Sequence, residues 1–256
     1  MSRRFERVFI GVVSLFFGAG LALTYARCSS MSGGMPMTGG WTMSMAWMRM
    51  PGQTWISAGA SFLGMWVVMM VAMMLPSFAP VLLRYRRDAG AADTQEATRL
   101  VLLAGAGYFC VWTLFGVMAF PTGVALASIA MQRPALARVA PLATGAIVMV
   151  AGAFQFTAWK VRQLACSQVT TGHAGARSTP AAWREGLRLG LACCGCCVNL
   201  MVVLLATGVM DLRVMTAVTA AITAERVIPA GTITARIVGG AVIAAGTLLI
   251  VRAAVA

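Results

Sequence analysis

Charge and imidazole are what this chain has least of. Only 11% of its 256 residues are charged, and a single histidine, His173, is present. A soluble domain carries roughly a quarter of charged residues, so this chain is too apolar for that class. With one histidine, any metal site must be built mainly from sulfur. There is no glycine-rich phosphate loop and no aromatic-basic RNA motif. That removes nucleotide-driven chemistry and nucleic-acid binding as readings of the basic excess. Acids are also scarce: seven Asp and Glu stand against twenty Lys and Arg, a formal charge of +13. The basic residues lie between apolar runs, where they read as topology determinants.

What is abundant is apolar sequence, at 60% hydrophobic. The expected fold is all-α, a polytopic transmembrane helix bundle of about seven spans. The spans are expected at 8–25, 57–83, 100–120, 140–159, 187–210, 214–227 and 237–254. Residues 1–25 form an N-terminal transmembrane helix, 26–56 an external Met/Gly-rich segment, and 57–256 the helical bundle. Arg3, Arg4 and Arg7 precede the first span and place the N-terminus in the cytoplasm of a bacterial inner membrane. On this topology fourteen of the twenty basic residues are cytoplasmic and six external, the bias that membrane insertion produces. Pro121–Arg138 is expected as a loop or short re-entrant segment, and 160–186 as a polar loop.

Sulfur is the second abundance, with 19 Met and 7 Cys. An odd cysteine count, mostly within apolar runs, argues against a secreted disulfide framework. Cys193, Cys194, Cys196 and Cys197 fall within five residues at the start of an apolar run. On a helix Cys193 and Cys197 stack at i, i+4, and Cys193/Cys196 and Cys194/Cys197 pair at i, i+3. One helix cannot wrap four thiolates tetrahedrally around zinc. It can offer two or three soft ligands to an ion of low coordination number, which selects Cu(I). The plainer alternative is cysteine as a small apolar packing residue.

Methionine adds two further groups. Met35, Met37, Met43 and Met45 lie in the external segment as Met-x-Met pairs. Thioethers there neither lose protons nor form disulfides, and suit Cu(I) capture outside the cytoplasm. The alternative is adaptable apolar surface at the membrane interface. Met65, Met69 and Met73 recur at i, i+4, i+8 along the second span, with Met70 and Met74 in the adjacent row. Pro76 and Pro80 are expected to break or kink that helix. Glu225 is an intramembrane acid, read either as a functional group or as an ion pair with Arg226. Gln155, Thr157 and Lys160 are polar groups in an expensive place, while His173 and Cys110 read as a solvated loop residue and plain packing.

Two segments carry a resemblance. Met65-Trp66-Val67-Val68-Met69-Met70-Val71-Ala72-Met73-Met74-Leu75-Pro76 is similar to the signature helix of a bacterial family of predicted metal-binding integral membrane proteins, a domain of unknown function (family 2182). Cys194-Gly195-Cys196-Cys197, with Gly208-Val209-Met210 and Glu225-Arg226 after it, resembles that family's Gly-Cys-Cys helix and acid-base pair. Phe154-Gln155-Phe156-Thr157 with Lys160 resembles a third family segment. The chain departs from the pattern at Gln163, where the family has a cysteine, and keeps Cys166. The resemblance implies a membrane location and metal binding, and fixes no reaction.

The functional expectation is an integral membrane protein that handles Cu(I), as a transporter or as a copper-delivery or assembly factor. Its metal ligands are expected among Cys193, Cys194, Cys196, Cys197, Met65, Met69, Met73, Met35, Met37, Met43 and Met45. A catalytic role is not expected. The alternatives are a membrane thiol-disulfide redox protein using Cys-x-x-Cys pairs, and a non-catalytic accessory subunit of a membrane metalloenzyme. Expected partners are the lipid bilayer and a copper-donor or acceptor protein, without nucleic acid.

Overall fold

The structure, a computed structural model, describes residues 11, 14–15, 17–20, 22–26, 34–37, 41–88, 94–169, 178–228 and 231–255. Helix α1 is the apolar Phe17–Ala26. A two-strand ribbon follows, β1 Met35–Pro36 and β2 Thr42–Met43, then a 3-10 turn at Met45–Trp47. The bundle proper is α2 Trp55–Asp88, α3 Thr94–Gln132, α4 Pro134–Phe154, α5 Ala158–Val169, α6 Thr179–Thr207, α7 Leu212–Val227 and α8 Gly231–Val255. The architecture is all-α apart from the ribbon.

Among the described residues, five stretches are long and apolar enough to cross a membrane: Trp55–Leu83, Gln95–Gln132, Pro134–Phe154, Thr179–Thr207 and Gly231–Val255. They coincide with five of the seven expected spans. The other two fall on shorter helices, α1 and the 16-residue α7. At 1.5 Å rise per residue α7 is about 24 Å long, short of the ~30 Å hydrocarbon core. Arg3, Arg4 and Arg7, along with Cys28, Met31 and His173, lie outside the described residues.

Four features differ from expectation. Helix α3 runs unbroken through Pro121 to Gln132, so the expected loop after residue 120 is helical. Helix α2 likewise continues through Pro76 and Pro80, so of the expected break or kink the break does not occur. Each proline removes one backbone donor, leaving the Ala72 and Pro76 carbonyls without their helical partner; in the same turn Ser77 Oγ donates to the Met74 carbonyl at 3.0 Å. Third, the expected polar loop at 160–186 holds α5 and the start of α6. The fourth span ends at Phe154 instead of reaching Trp159.

Helices α2 and α3 are antiparallel, as their aromatic contacts show: Phe62 meets Phe120, Trp66 meets Phe115, and Phe78 stacks on Tyr108. Helices α3 and α6 are parallel and pack closely through small residues. A Cβ at Gly186 would collide with the Ala104 carbonyl oxygen, and one at Gly190 would sit 2.9 Å from the Tyr108 carbonyl oxygen. Without a solvent-driven force between helices, such close backbone approach is what holds membrane helices together. Gly145 and Gly152 of α4 do the same against Gly246 and Gly239 of α8.

The ribbon caps one end of this bundle. Trp41 Nε1 donates to the Ala137 carbonyl near the start of α4 at 2.8 Å. Trp47 packs its ring on Phe62 of α2, with centroids 5.2 Å apart, and against Gly123 of α3.

Candidate metal centre

The sulfur-rich face of α6 points into the core. Cys193, Cys196 and Cys197 are buried, whereas Cys194 is half-buried at the edge of the same cluster. Helical spacing explains the difference: 193, 196 and 197 share a narrow arc, and 194 is turned about 100° from 193. Cys193 Sγ and Cys197 Sγ lie 3.8 Å apart. The i, i+4 pair is therefore in direct sulfur contact.

A third sulfur arrives from α2. Cys193 Sγ is 4.0 Å from Met74 Sδ. Met69, Met70 and Met73 are buried in the same core, and Met65 packs against it half-buried. The stripe Met65/Met69/Met73 thus lies inside the bundle, but the thioether that meets the thiol belongs to the adjacent row. Met201, one turn beyond Cys197, is also fully buried.

Cys193 has two strong donors as well. Tyr108 OH of α3 and Arg226 of α7 each stand 2.9 Å from Cys193 Sγ. Tyr108 is held by its stacking on Phe78, with ring centroids 3.9 Å apart. Arg226 reaches the thiol because α6 and α7 form an antiparallel hairpin. Cys193 lies fourteen residues before the end of α6, and Arg226 fourteen after the start of α7. The turn between them is tight: Gly208 takes φ +134, a conformation that favours glycine. Asp211 then caps α7 by accepting from the Arg213 and Val214 amides. Trp112, one turn beyond Tyr108 on α3, is buried in the same core.

Next to the thiols lies a polar knot. Lys160 Nζ contacts Glu225 Oε2 at 2.6 Å, and both side chains are about 1% exposed. Lys160 Nζ also donates to the Cys196 carbonyl at 2.7 Å, and Gln155 Nε2 donates to Glu225 Oε1 at 2.8 Å. The acid-base pair expected between Glu225 and Arg226 is thus replaced. Neighbours in a helix point about 100° apart, so Glu225 turns to Lys160 while Arg226 turns to Cys193 and, at 3.5 Å, Ser77. Gln163 takes a place beside the cysteines too: its Oε1 is 2.9 Å from where a Cβ of Gly195 would be.

Among the described residues no group of three or more His, Cys, Asp or Glu side chains is placed to hold a metal ion. The chemistry on offer is a mixed one, two thiols and a thioether. With metal–sulfur bonds of about 2.3 Å, the zinc–thiolate length, three sulfurs around one ion sit about 4 Å apart. The two distances from Cys193 Sγ, 3.8 and 4.0 Å, match that spacing.

The ribbon methionines form a separate group. Met35 and Met43 are cross-strand partners in the ribbon. Met43 is buried, Met35 exposed, and Met37 and Met45 intermediate. Phe62, beneath the ribbon, is twelve residues from Met74, about 18 Å along α2. The two sulfur groups therefore do not share one site. Tyr108, Met74 and Arg226 are not among the metal ligands expected from the sequence; Met74 carries a signal there in the row beside the Met65/Met69/Met73 stripe and Arg226 in the Glu225-Arg226 pair, while Tyr108 carries none.

Residues 63–249 match the model of a family described as copper chaperone (PpoB2). The match is to a copper-related family and does not carry the name of the unknown-function family 2182. No curated protein and no solved structure matches the chain.

Proposed function

Since the chain belongs to this copper-chaperone family, we propose that it is a multi-pass membrane protein that carries Cu(I) as cargo on sulfur ligands. The tight site is Cys193, Cys197 and Met74. The observation that carries this reading is the pair of sulfur–sulfur distances that meet at Cys193, 3.8 Å to Cys197 and 4.0 Å to Met74, which suit a soft ion of low coordination. Two thiols bind as thiolates and a thioether completes the set without adding charge. Cys196 lies beside them with its carbonyl held by Lys160.

The ribbon methionines Met35, Met37, Met43 and Met45 capture the ion at the opposite end. Met65, Met69 and Met73 lie between the two, one every four residues or about 6 Å of rise. The affinity gradient runs from thioether to thiolate, which gives the transfer a direction. The family description favours delivery to an acceptor protein over free transport. The membrane is the inner membrane of a bacterium, with the ribbon outside and the cysteine level in the cytoplasmic half.

Cu(I) titration of the purified full chain in detergent, under reducing conditions and against a competing chelator, tests this. Cys193→Ser and Cys197→Ser should abolish tight binding, because a serine hydroxyl is a hard ligand that stays protonated. Cys194→Ser should bind as wild type. Leu at the four ribbon methionines should leave tight binding intact and slow loading at low copper. Tight binding that survives loss of Cys193 would overturn the site. Wild-type protein that binds no Cu(I) would favour the thiol-redox alternative.

A further inference from the structure

We infer that Arg226 selects cargo by charge, making the Cys193–Cys197–Met74 site complementary to a monovalent soft cation and hostile to a divalent one. The inference rests on the copper site proposed above and extends it to the choice of ion. Softness alone does not make that choice: thiolate and thioether ligands bind soft monovalent and divalent ions alike. Some other feature of the site must count charge.

The charged groups around the thiols make the count possible. Lys160 and Glu225 lie 2.6 Å apart and cancel each other. Among the described residues, the hydrogen-bond partners of Arg226 are Cys193 at 2.9 Å and Ser77 at 3.5 Å, neither of them a carboxylate. Its positive charge is therefore left for the sulfur site to balance. Two bound thiolates contribute two negative charges. Arg226 and a monovalent ion neutralise them, whereas Arg226 and a divalent ion leave one positive charge in excess. Within a low-dielectric bundle an excess charge costs far more than in water. Removing Arg226 inverts the tally, since a divalent ion then gives neutrality and a monovalent one leaves a negative charge. Tyr108 OH, also 2.9 Å from Cys193 Sγ, is neutral and cannot discriminate in this way.

Silver(I) and cadmium(II) are the probes, because both are soft and they differ in charge. Their affinities for the purified full chain are measured by chelator competition, following thiolate–metal absorption. Wild type should prefer Ag(I) over Cd(II). Arg226→Gln should lower the Ag(I)-to-Cd(II) affinity ratio by at least about tenfold, a conservative figure for one unit charge a few ångströms away. Arg226→Lys, which keeps the charge, should hold the ratio near wild type. An unchanged ratio in the Gln variant, or an equal loss for both ions, overturns charge selection. So does a Lys variant that behaves like Gln. Should Arg226→Gln lose its helical circular dichroism, Ser77→Asp decides: it sets a carboxylate against the guanidinium, whose present contact to Ser77 is 3.5 Å, and cancels its charge, so it should lower the ratio likewise, and an unchanged ratio there overturns the inference. Cu(I) binding that survives Cys193→Ser overturns the underlying site, a result separate from any change in the ratio.

Discussion

Replacing Glu225 by Gln should destabilise the bundle by about 3–5 kcal/mol, the usual cost of removing one partner of a buried ion pair. The carboxylate contacts Lys160 Nζ at 2.6 Å with both side chains about 1% exposed. At an effective dielectric near 20 such a pair attracts with roughly 6 kcal/mol, most of which is offset by the desolvation of the two ions. The pair thus contributes little net stability while intact. Its loss is asymmetric: the ammonium stays buried with the Cys196 carbonyl and a neutral amide as acceptors, and the desolvation penalty is no longer offset. Lys160→Met should cost a similar amount by stranding the carboxylate, leaving it only the Gln155 amide. The double variant Lys160→Met/Glu225→Gln should recover most of the loss, to within about 1–2 kcal/mol of wild type, since no unpaired charge remains. Unfolding the purified protein by SDS titration, followed by circular dichroism, gives the four corners of this cycle. Single variants within about 1 kcal/mol of wild type would refute the reasoning, as would a double variant as unstable as the sum of the two singles. The first result would mean that water reaches the pair, the second that the two residues act independently.

Three further outcomes follow from the same geometry. Met74→Leu should weaken Cu(I) binding at least about tenfold, or roughly 1.4 kcal/mol, while Met69→Leu and Met73→Leu weaken it less, because only Met74 Sδ meets Cys193; chelator competition reads all three, and Leu matches Met in volume so the fold persists. Gly186→Ala should cost about 1–3 kcal/mol by forcing α6 away from the Ala104 carbonyl of α3, measured by the same SDS titration. Thiol labelling from outside the cell should reach a cysteine introduced at Met45 and miss one introduced at Arg87; the reverse pattern would invert the orientation and remove the capture role of the ribbon.

Much of the site's composition is legible in the sequence, and little of its assembly. The Cys193–Cys197 spacing places both thiols on one helical face, and their contact at 3.8 Å follows from that repeat alone. The burial of Met69 and Met73 follows from the same logic. Lys160, Gln155 and Glu225 stand out as polar groups in apolar surroundings, but nothing local shows that they meet across 65 and 70 residues. The helical stretch after Pro121 is not legible, because proline is a strong breaker in water and a tolerated one where neighbouring helices repair the backbone.

Length and polarity of the apolar runs by themselves determined that the chain is helical with stretches long enough to cross a membrane, because a helix alone satisfies every backbone polar group along such a run. Composition likewise determined that any metal ligands are mainly sulfur, with one histidine in 256 residues. Only the tertiary structure decided that the third sulfur is Met74, not Met69 or Met73, that Tyr108 donates to Cys193, and that Arg226 abandons Glu225 for the thiol. Helical periodicity tells which residues share a face. The rotation of each helix about its own axis, and its level against its neighbours, come from glycine contacts such as Gly186 on Ala104 and from the length of the α6–α7 turn, and these are relations between distant parts of the chain that no local pattern encodes.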